Sequence, residues 1–491
     1  MYRLHYSQMR IKELFEFYKP LGFTGDNDTV IENISTDSSK ILSGGLFFAI
    51  KGGRYNGNDY ISEAEKNGAV AVVTQEEIAS NTIAVAKVGD VRLALSRWSA
   101  AFYGFPQKKM NITGITGTNG KTTIANLIYR MLLEDSPAGL IGTSGYDYGD
   151  IHGSFGLTTP FSNDLYKLFS NMLKAGIKDV VMEVSSHALE LERVSDISFS
   201  SAVFSNLSQD HLDFHGNMDK YYEAKFKLFT MLKQHVKKSA IVNIDDEYGI
   251  KLAKNTGYGA VTFAIKNKAD YTAEIKDISL KGSRFYLSAP NGRRELSVRL
   301  IGSFNIYNCL AAMAWAIEGG KDMETVCNVV SNFSPVAGRM EIVRKSHEDG
   351  KFVVIDYAHT PAALENVLIT LRELTRQKLI CVFGCGGDRD REKRPLMGRV
   401  AGIISDRVYI TSDNPRTENP MNIVLDIELG LRNTATEYYI IPDRSEAISM
   451  AIKDSDPGDC ILIAGKGDED YQLVGDERMP FSDRLEAHKY L

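Results

Sequence analysis

No stretch of this chain approaches the roughly 20 consecutive apolar residues that a membrane-spanning helix needs, so the sequence predicts no span. Met1 to Lys12 mixes Tyr, Arg, His, Gln and Lys without an apolar run, which is not the pattern of a signal peptide, and the expected compartment is the cytosol. Cysteine is scarce: Cys309, Cys327, Cys381, Cys385 and Cys460 make an odd total of 5, set mostly in apolar segments, as suits reduced thiols rather than a disulfide framework. Only Cys381 and Cys385 invite a zinc reading, and the absence of a second nearby pair argues against it. Positive charge is not in excess. A formal net charge of −6 argues against a nucleic-acid partner held through phosphate contacts. There is also no short repeat and no low-complexity linker, so unit boundaries must come from changes of pattern.

What is present is the composition of a globular protein, 43% apolar and 24% charged. At about 150 residues per domain, a chain of 491 residues predicts about three domains. The expected units are 1–107, 108–337 and 338–491. In the first, short apolar runs such as Gly45 to Ile50 and Ala69 to Thr74 alternate with helical stretches, which suggests a small α/β module. In the second, Asn111 to Thr116 reads as a strand, and Ile124, Leu127, Ile128 and Met131 then fall on one helical face. Further buried strands are expected at Asp179 to Val184, Ser200 to Phe204 and Ser239 to Ile244, giving a doubly wound parallel sheet. Between about Ala260 and Leu300 the pattern alternates at period two, which suggests an antiparallel appendage. The third unit is Rossmann-like, with strands expected at Phe352 to Ile355, Leu379 to Phe383, Arg407 to Thr411, Glu437 to Ile441 and Cys460 to Ala464. It lacks a GxGxxG fingerprint after its first strand, which excludes a dinucleotide there.

Between the strand from Asn111 and the helix that follows lies Thr116-Gly117-Thr118-Asn119-Gly120-Lys121-Thr122-Thr123. Glycines let backbone N–H groups close around phosphate oxygens, Lys121 can reach the outer phosphates, and Thr122 can bind magnesium at the helix N-terminus. A strict Walker A pattern would place glycine at the position occupied by Ile115. The loop alone leaves a ligase, a kinase, an ATPase and a nucleotide-gated switch open. Glu183 at a strand end, and His211, Asp213 and His215 in Asp210-His-Leu-Asp-Phe-His-Gly216, add oxygen and imidazole ligands suited to magnesium or manganese. Lys225, on a helix after that turn, reads by itself as a solvated lysine.

These residues resemble the Mur ligase family, whose loop is Gly-Thr-Asn-Gly-Lys-Thr or close to it. The resemblance continues through Met182-Glu-Val-Ser-Ser-His187, Asn206 to Gly216, Gly302-Ser-Phe-Asn-Ile-Tyr-Asn308, Gly338-Arg339 and Asp356-Tyr-Ala-His-Thr-Pro361. Within the family the chain is most similar to members that extend UDP-N-acetylmuramoyl-L-alanyl-D-glutamate in peptidoglycan synthesis. The resemblance implies an ATP-dependent amide ligase: the γ-phosphoryl group activates the D-glutamyl side-chain carboxylate, and an amine displaces the phosphate. By the family pattern Thr122 and Glu183 hold one magnesium ion, and His211 with carbamylated Lys225 holds another. Asn305, Arg339 and His359 match positions near the adenine, ribose and phosphates of ATP. Thr36, Ser38, Gly53, Arg54 and Tyr55 match the uridine end of the other substrate, and Thr158, Thr159, Ser185 and Arg193 its pyrophosphate and peptide. Ser39, Leu157 and Leu191 depart from the family's common residues there.

Asp413-Asn414-Pro415-Arg416 follows a predicted strand and in isolation is an ordinary turn signal. Its arginine resembles the diaminopimelate-adding enzymes, because a planar guanidinium can grip the distal carboxylate that distinguishes meso-diaminopimelate from lysine. Family matching adds Arg389, Gly465 and Glu469, with Glu469 receiving the distal ammonium. Asp468 stands where histidine is common. The expected partners are small-molecule substrates alone, with the chain acting as a monomer. The alternatives are a lysine-adding relative, a folylpolyglutamate synthetase, an inert muramyl-nucleotide scaffold and, from another class, a phosphate-loop ATPase switch.

Overall fold

The computed structural model of the protein describes residues 8–491 except 54, 79, 81, 234–238, 257–258 and 344–349. Its architecture is α/β, built on three main sheets.

The first sheet has five strands in the order Gly22–Thr24, Ala84–Lys87, Ala69–Thr74, Gly45–Phe48, Asn33–Ser35, parallel except for the first pair. Its centre is rich in Val, Ala and Phe and is buried on both faces, as parallel strands under helices are. Helix Val91–Phe102 covers one face. Asp90 caps it by accepting from the backbone N–H groups of Arg92 and Leu93. Trp98 anchors it, fully buried against Phe15 and Phe48, with its indole N–H donating to Tyr18 O at 3.1 Å.

The central sheet has eleven strands. The expected strands appear as Asn111–Thr116, Asp179–Glu183, Ser201–Phe204 and Ala240–Asn243, all parallel. The alternating region is continuous with this sheet rather than separate from it. Val261–Ala264 and Tyr271–Ser279 extend the parallel run, and antiparallel pairing begins only where Gly282–Ala289 and Gly292–Val298 fold back. On the opposite edge Ala138–Gly142 pairs with Asp179–Glu183 and carries an antiparallel extension, Gly145–Tyr148 and Ile151–Gly153. That edge is absent from the sequence-based expectation because Ala138-Gly-Leu-Ile-Gly142 is short and glycine-rich. Helix Lys121–Leu133 buries Ile124, Leu127, Ile128 and Met131, the face its spacing predicts, and helix Ser303–Glu318 packs beside it.

The third sheet runs Glu341–Val343, Phe352–Asp356, Cys460–Ala464, Leu379–Phe383, Arg407–Ile410, Glu437–Ile440, and only its first strand is antiparallel. The parallel strands end on one edge, so the loops after Asp356, Phe383, Ile410 and Ala464 converge there, as ligand loops do in open α/β sheets. Among the described residues no helix is long and apolar enough to cross a membrane.

Candidate active site

The phosphate loop leaves the central sheet at Thr116. Ile115, at the position of the expected Walker glycine, lies inside the strand, fully buried and in register with Glu183, so the turn begins later, at Gly117. Two glycines are required by close approach. A Cβ on Gly117 (φ +149°) would lie 1.9 Å from Ser205 Oγ, and one on Gly120 (φ +86°) 2.3 Å from Asn308 Oδ1. Asn206 braces the turn, accepting from Asn119 N at 3.0 Å and donating to Asn119 O at 3.1 Å. Lys121 Nζ donates to Gly117 O and Thr118 O, both at 2.9 Å. Thr122 and Thr123 open the helix at its N-terminal turn, where unpaired N–H groups favour an anion.

Lys225 is not solvated. It is 2% exposed, lies over the Tyr221 ring at 4.5 Å, and donates from Nζ to Gly117 O at 2.9 Å, the carbonyl that Lys121 also uses. Among the described residues no carboxylate forms an ion pair with it. Burial holds its pKa well below the ordinary lysine value and the Lys121 ammonium adds to this, against the opposing pull of Asp210. A neutral amine here is the form able to add carbon dioxide, and the resulting anionic carbamate suits a cation, so the residues fit the carbamylated ligand and the magnesium that the resemblance implies. Glu183 is 1% exposed, its two oxygens accepting from Thr143 N at 2.9 Å and Thr143 Oγ1 at 3.1 Å. His211 is left-handed (φ +54°), with Nε2 3.4 Å from Asp210 Oδ2, and burial lowers its pKa to about 4, so it is a neutral donor at neutral pH. Among the described residues no group of three or more His, Cys, Asp or Glu could hold a metal alone. Substrate phosphates and water are the further ligands that magnesium would take here.

The phosphate loop opens onto one cleft of about 1050 Å³ that spans the central and third sheets. Thr118 to Thr123, Glu183 and His211 form one part of its wall, with Asn305, Arg339 and His359 beside them. Arg339 stacks on Tyr357 at 4.3 Å and donates to Thr122 Oγ1 at 3.3 Å, linking the two sheets' loops. Asn305 donates to Ile301 O and accepts from Asn308, and His359 Nδ1 lies 2.9 Å from Tyr357 O with its pKa lowered to about 4 by burial. Gly117 and Lys225 stand behind the wall.

Thr158, Ser185 and Arg193 line another side of the cleft. Arg193 donates to Thr159 O at 2.8 Å and stacks on Phe161 at 4.5 Å, while its Nε is buried without a hydrogen bond. Burial lowers its pKa to about 10. It is therefore an anchored guanidinium rather than an exposed one. Thr159 lies just behind, donating to Glu183 O at 3.0 Å. Leu157 shares this wall, and Leu191 ends the short helix Ser186–Glu190. The uridine candidates of the first sheet do not line this cleft. Ser38 is buried and bonded to Glu63 at 2.8 Å, Thr36 is half-buried, and Gly53 and Tyr55 are exposed; Arg54 lies outside the described residues. Ser39 donates from its backbone N–H and its hydroxyl to the capping carboxylate of Asp37.

At the third sheet the cleft is lined by Arg389, Asp413, Asn414, Arg416, Gly465 and Glu469, which come from three strand-end loops. Pro415 is buried behind them and Asp468 is exposed. Arg416 Nη1 donates to Gly387 O at 2.8 Å, and Asn414 Nδ2 donates to Glu469 Oε2 at 2.9 Å.

The geometry agrees with comparisons to known proteins. Three domain families match in order: Mur ligase family, catalytic domain, over residues 30–103; Mur ligase middle domain over 115–316; and Mur ligase, glutamate ligase domain, over 338–467. The UDP-N-acetylmuramoyl-L-alanyl-D-glutamate–2,6-diaminopimelate ligase of Caldanaerobacter subterraneus subsp. tengcongensis is 42% identical over 97% of this chain and 98% of its own. The chain belongs to the Mur ligase family. A solved structure of a UDP-N-acetylmuramoyl-L-alanyl-D-glutamate–2,6-diaminopimelate ligase matches this Mur ligase over 99% of both chains, with 32% identity and a TM-score of 0.66. The fold is also that of the MurF ligase of Thermotoga maritima, solved in complex with ADP, which is 19% identical with a TM-score of 0.62 over 88% of this chain and 93% of that one.

Several residues that build this Mur ligase's cleft escape sequence reasoning. Thr143 locks Glu183 from a loop after the unrecognised strand Ala138–Gly142, and nothing in its sequence context marks it. Asn206 and Asp210 stand inside a motif that carries the family resemblance, and Lys466 lies between the family-matched Gly465 and Glu469, which was the available signal. Lys466, fully buried, is the least expected of them.

Proposed function

We propose that this Mur ligase uses ATP to join meso-2,6-diaminopimelate to the D-glutamyl side-chain carboxylate of UDP-N-acetylmuramoyl-L-alanyl-D-glutamate, through an acyl phosphate, in peptidoglycan synthesis. The observation that carries this is Arg416 standing in the same cleft as the phosphate loop, with Glu469 on another strand-end loop of the same sheet. The diaminopimelate ligases that align with nearly the whole chain support it.

In this reading the γ-phosphoryl group passes from ATP to the carboxylate and ADP leaves. The amine then attacks the acyl carbon, phosphate departs with the C–O electron pair, and the amine sheds its extra proton. A free carboxylate would have to expel oxide, whereas the phosphorylated one expels phosphate. The protein's task is positioning and charge neutralisation. Loop N–H groups and Lys121 cradle the phosphates, Arg193 orients the anionic substrate, and Arg339 bridges the nucleotide loops of the two sheets. Thr122 with Glu183, and His211 with carbamylated Lys225, would hold magnesium, which when bound neutralises charge on the phosphoryl oxygens. Asn305 and His359 border the nucleotide. Thr36, Ser38, Gly53 and Tyr55 belong to the uridine end, in the unit 1–107. Arg389 and Arg416 take the carboxylates of diaminopimelate and Glu469 its distal ammonium, with Asp413, Asn414, Pro415 and Gly465 shaping that end. A cytosolic monomer is the proposed state. The burial of Cys309, Cys385 and Cys460, which pushes each thiol up to about 12, suits a chain needing no disulfides.

The test is incubation with ATP, magnesium, the UDP-muramoyl dipeptide and either diaminopimelate or L-lysine, measuring phosphate release and product mass. Release that requires every substrate, with the diaminopimelate product dominant, is expected. Substrate-independent hydrolysis, or preference for lysine, would contradict the reading.

A further inference from the structure

Lys466 lies beneath the amino-acid end of the cleft with no solvent exposure. It stands between Gly465 (φ +115°) and Gly467 (φ +57°), whose left-handed backbone turns the lysine side chain back under the loop. Nζ donates to Glu469 Oε2 at 2.9 Å and Asn414 Oδ1 at 3.2 Å, and lies 3.6 Å from Asp413 Oδ1. That last oxygen is buried without a hydrogen bond, so the ammonium compensates it by charge alone. Arg444 also faces Asp413 and Glu469, but its guanidinium is committed to Asp483 through two bonds of 2.7 Å.

The chemistry of the two competing amines gives this arrangement a consequence. Diaminopimelate carries two ammonium and two carboxylate groups and is neutral overall, whereas lysine lacks one carboxylate and carries a net positive charge. A pocket floor holding Asp413 and Glu469 without a counter-cation would attract the cationic amine. Lys466 offsets one of those charges. It also occupies Oε2 of Glu469 and, with Asn414 on the same oxygen, leaves Oε1 to meet an incoming ammonium in a fixed direction.

We infer that Lys466 is a positioning and specificity-determining residue of this ligase: it fixes Glu469 and Asn414 and balances the pocket's charge so that a dicarboxylate diamine is chosen over a monocarboxylate one. The inference rests on the diaminopimelate reading of the site above. A residue needed only for folding would lower turnover of both amines alike. A charge-balancing residue changes their ratio.

The experiment measures kcat/KM for diaminopimelate and for L-lysine, with ATP and the UDP-muramoyl dipeptide, in the wild type, Lys466→Met and Glu469→Gln. In Lys466→Met the preference for diaminopimelate should fall about tenfold or more, through a raised KM for diaminopimelate, with the KM for ATP changed less than about twofold. In Glu469→Gln both amines should react more poorly, but the preference for diaminopimelate should rise, because Lys466 then balances Asp413 alone and the pocket floor no longer carries excess negative charge to attract the cationic amine. That variant carries the test if Lys466→Met does not fold. Equal losses for both amines in the variants, with the wild-type preference intact, would overturn the role of Lys466 while leaving the proposed function standing. A wild type without preference for diaminopimelate would overturn both.

Discussion

Arg416 holds a left-handed backbone (φ +53°) that costs a non-glycine residue about 1–3 kcal/mol. The surroundings impose it. Arg416 N donates to Leu473 O at 3.0 Å, Gly475 N donates to Arg416 O at 2.8 Å, and the hairpin of Tyr471–Val474 and Glu477–Pro480 thereby fixes the arginine. Its guanidinium reaches Gly387 O across the cleft wall, near the loop that carries Arg389. Under the proposed function, Arg416→Ala leaves a substrate carboxylate without its cation, at a cost of about 2–5 kcal/mol in kcat/KM for diaminopimelate. The KM for ATP should stay within about twofold, and unchanged steady-state kinetics with diaminopimelate would contradict the assignment. At this scale the sequence was informative wherever a residue type is rare in its context, as with Lys121 in a glycine turn or arginine after Asp-Asn-Pro. It was silent where a common residue acquires its role by burial. Lys225 reads by itself as a solvated lysine because lysine usually is, Lys466 carries no mark of its own, and only packing reveals both as buried.

Among the elements, the parallel strands of the third sheet deliver their loops to one edge, and a buried ion pair sets where two of those loops begin. Arg444 opens helix Arg444–Lys453, donates to Ser412 O at 3.3 Å and to Ala464 O at 3.0 Å, and pairs with Asp483 of the C-terminal helix Asp483–Tyr490. Ser412 and Ala464 immediately precede Asp413 and Gly465. Replacing one member of such a pair strands the other charge, so Arg444→Met should destabilise the fold by about 3–5 kcal/mol. Thermal unfolding measures this, and an unchanged melting temperature would show that the pair does not hold the loops. Strands and helices with strong apolar patterns, such as Leu379–Phe383 and Lys121–Leu133, were legible from sequence with boundaries close to those observed. Two short strands were not. Glu341–Val343 and Ala138–Gly142 are specified by pairing with a neighbour rather than by their own periodicity. The antiparallel start was misplaced for a related reason, since Val261–Ala264 is too short for its alternation to separate a parallel from an antiparallel partner.

For the whole molecule, the order of motifs along the chain foretold an α/β architecture with a phosphate loop in the middle and amino-acid loops towards the end. It did not foretell the distances between them. The central and third sheets share one cleft, closed on one side by Arg339 over Thr122, while the candidate uridine residues of the first sheet lie outside it. Under the proposed function a long nucleotide-sugar substrate would account for that separation, its uridine at the first sheet and its peptide end in the cleft. Exclusion of water from the activated carboxylate then depends on the central and third sheets meeting over it. The most direct measurement uses the UDP-muramoyl dipeptide with a heavy-oxygen label in the D-glutamyl side-chain carboxylate, followed by mass analysis of the inorganic phosphate released with diaminopimelate. Transfer through an acyl phosphate places one labelled oxygen in each phosphate formed; phosphate carrying no label would mean that ATP is split by water and would contradict the account.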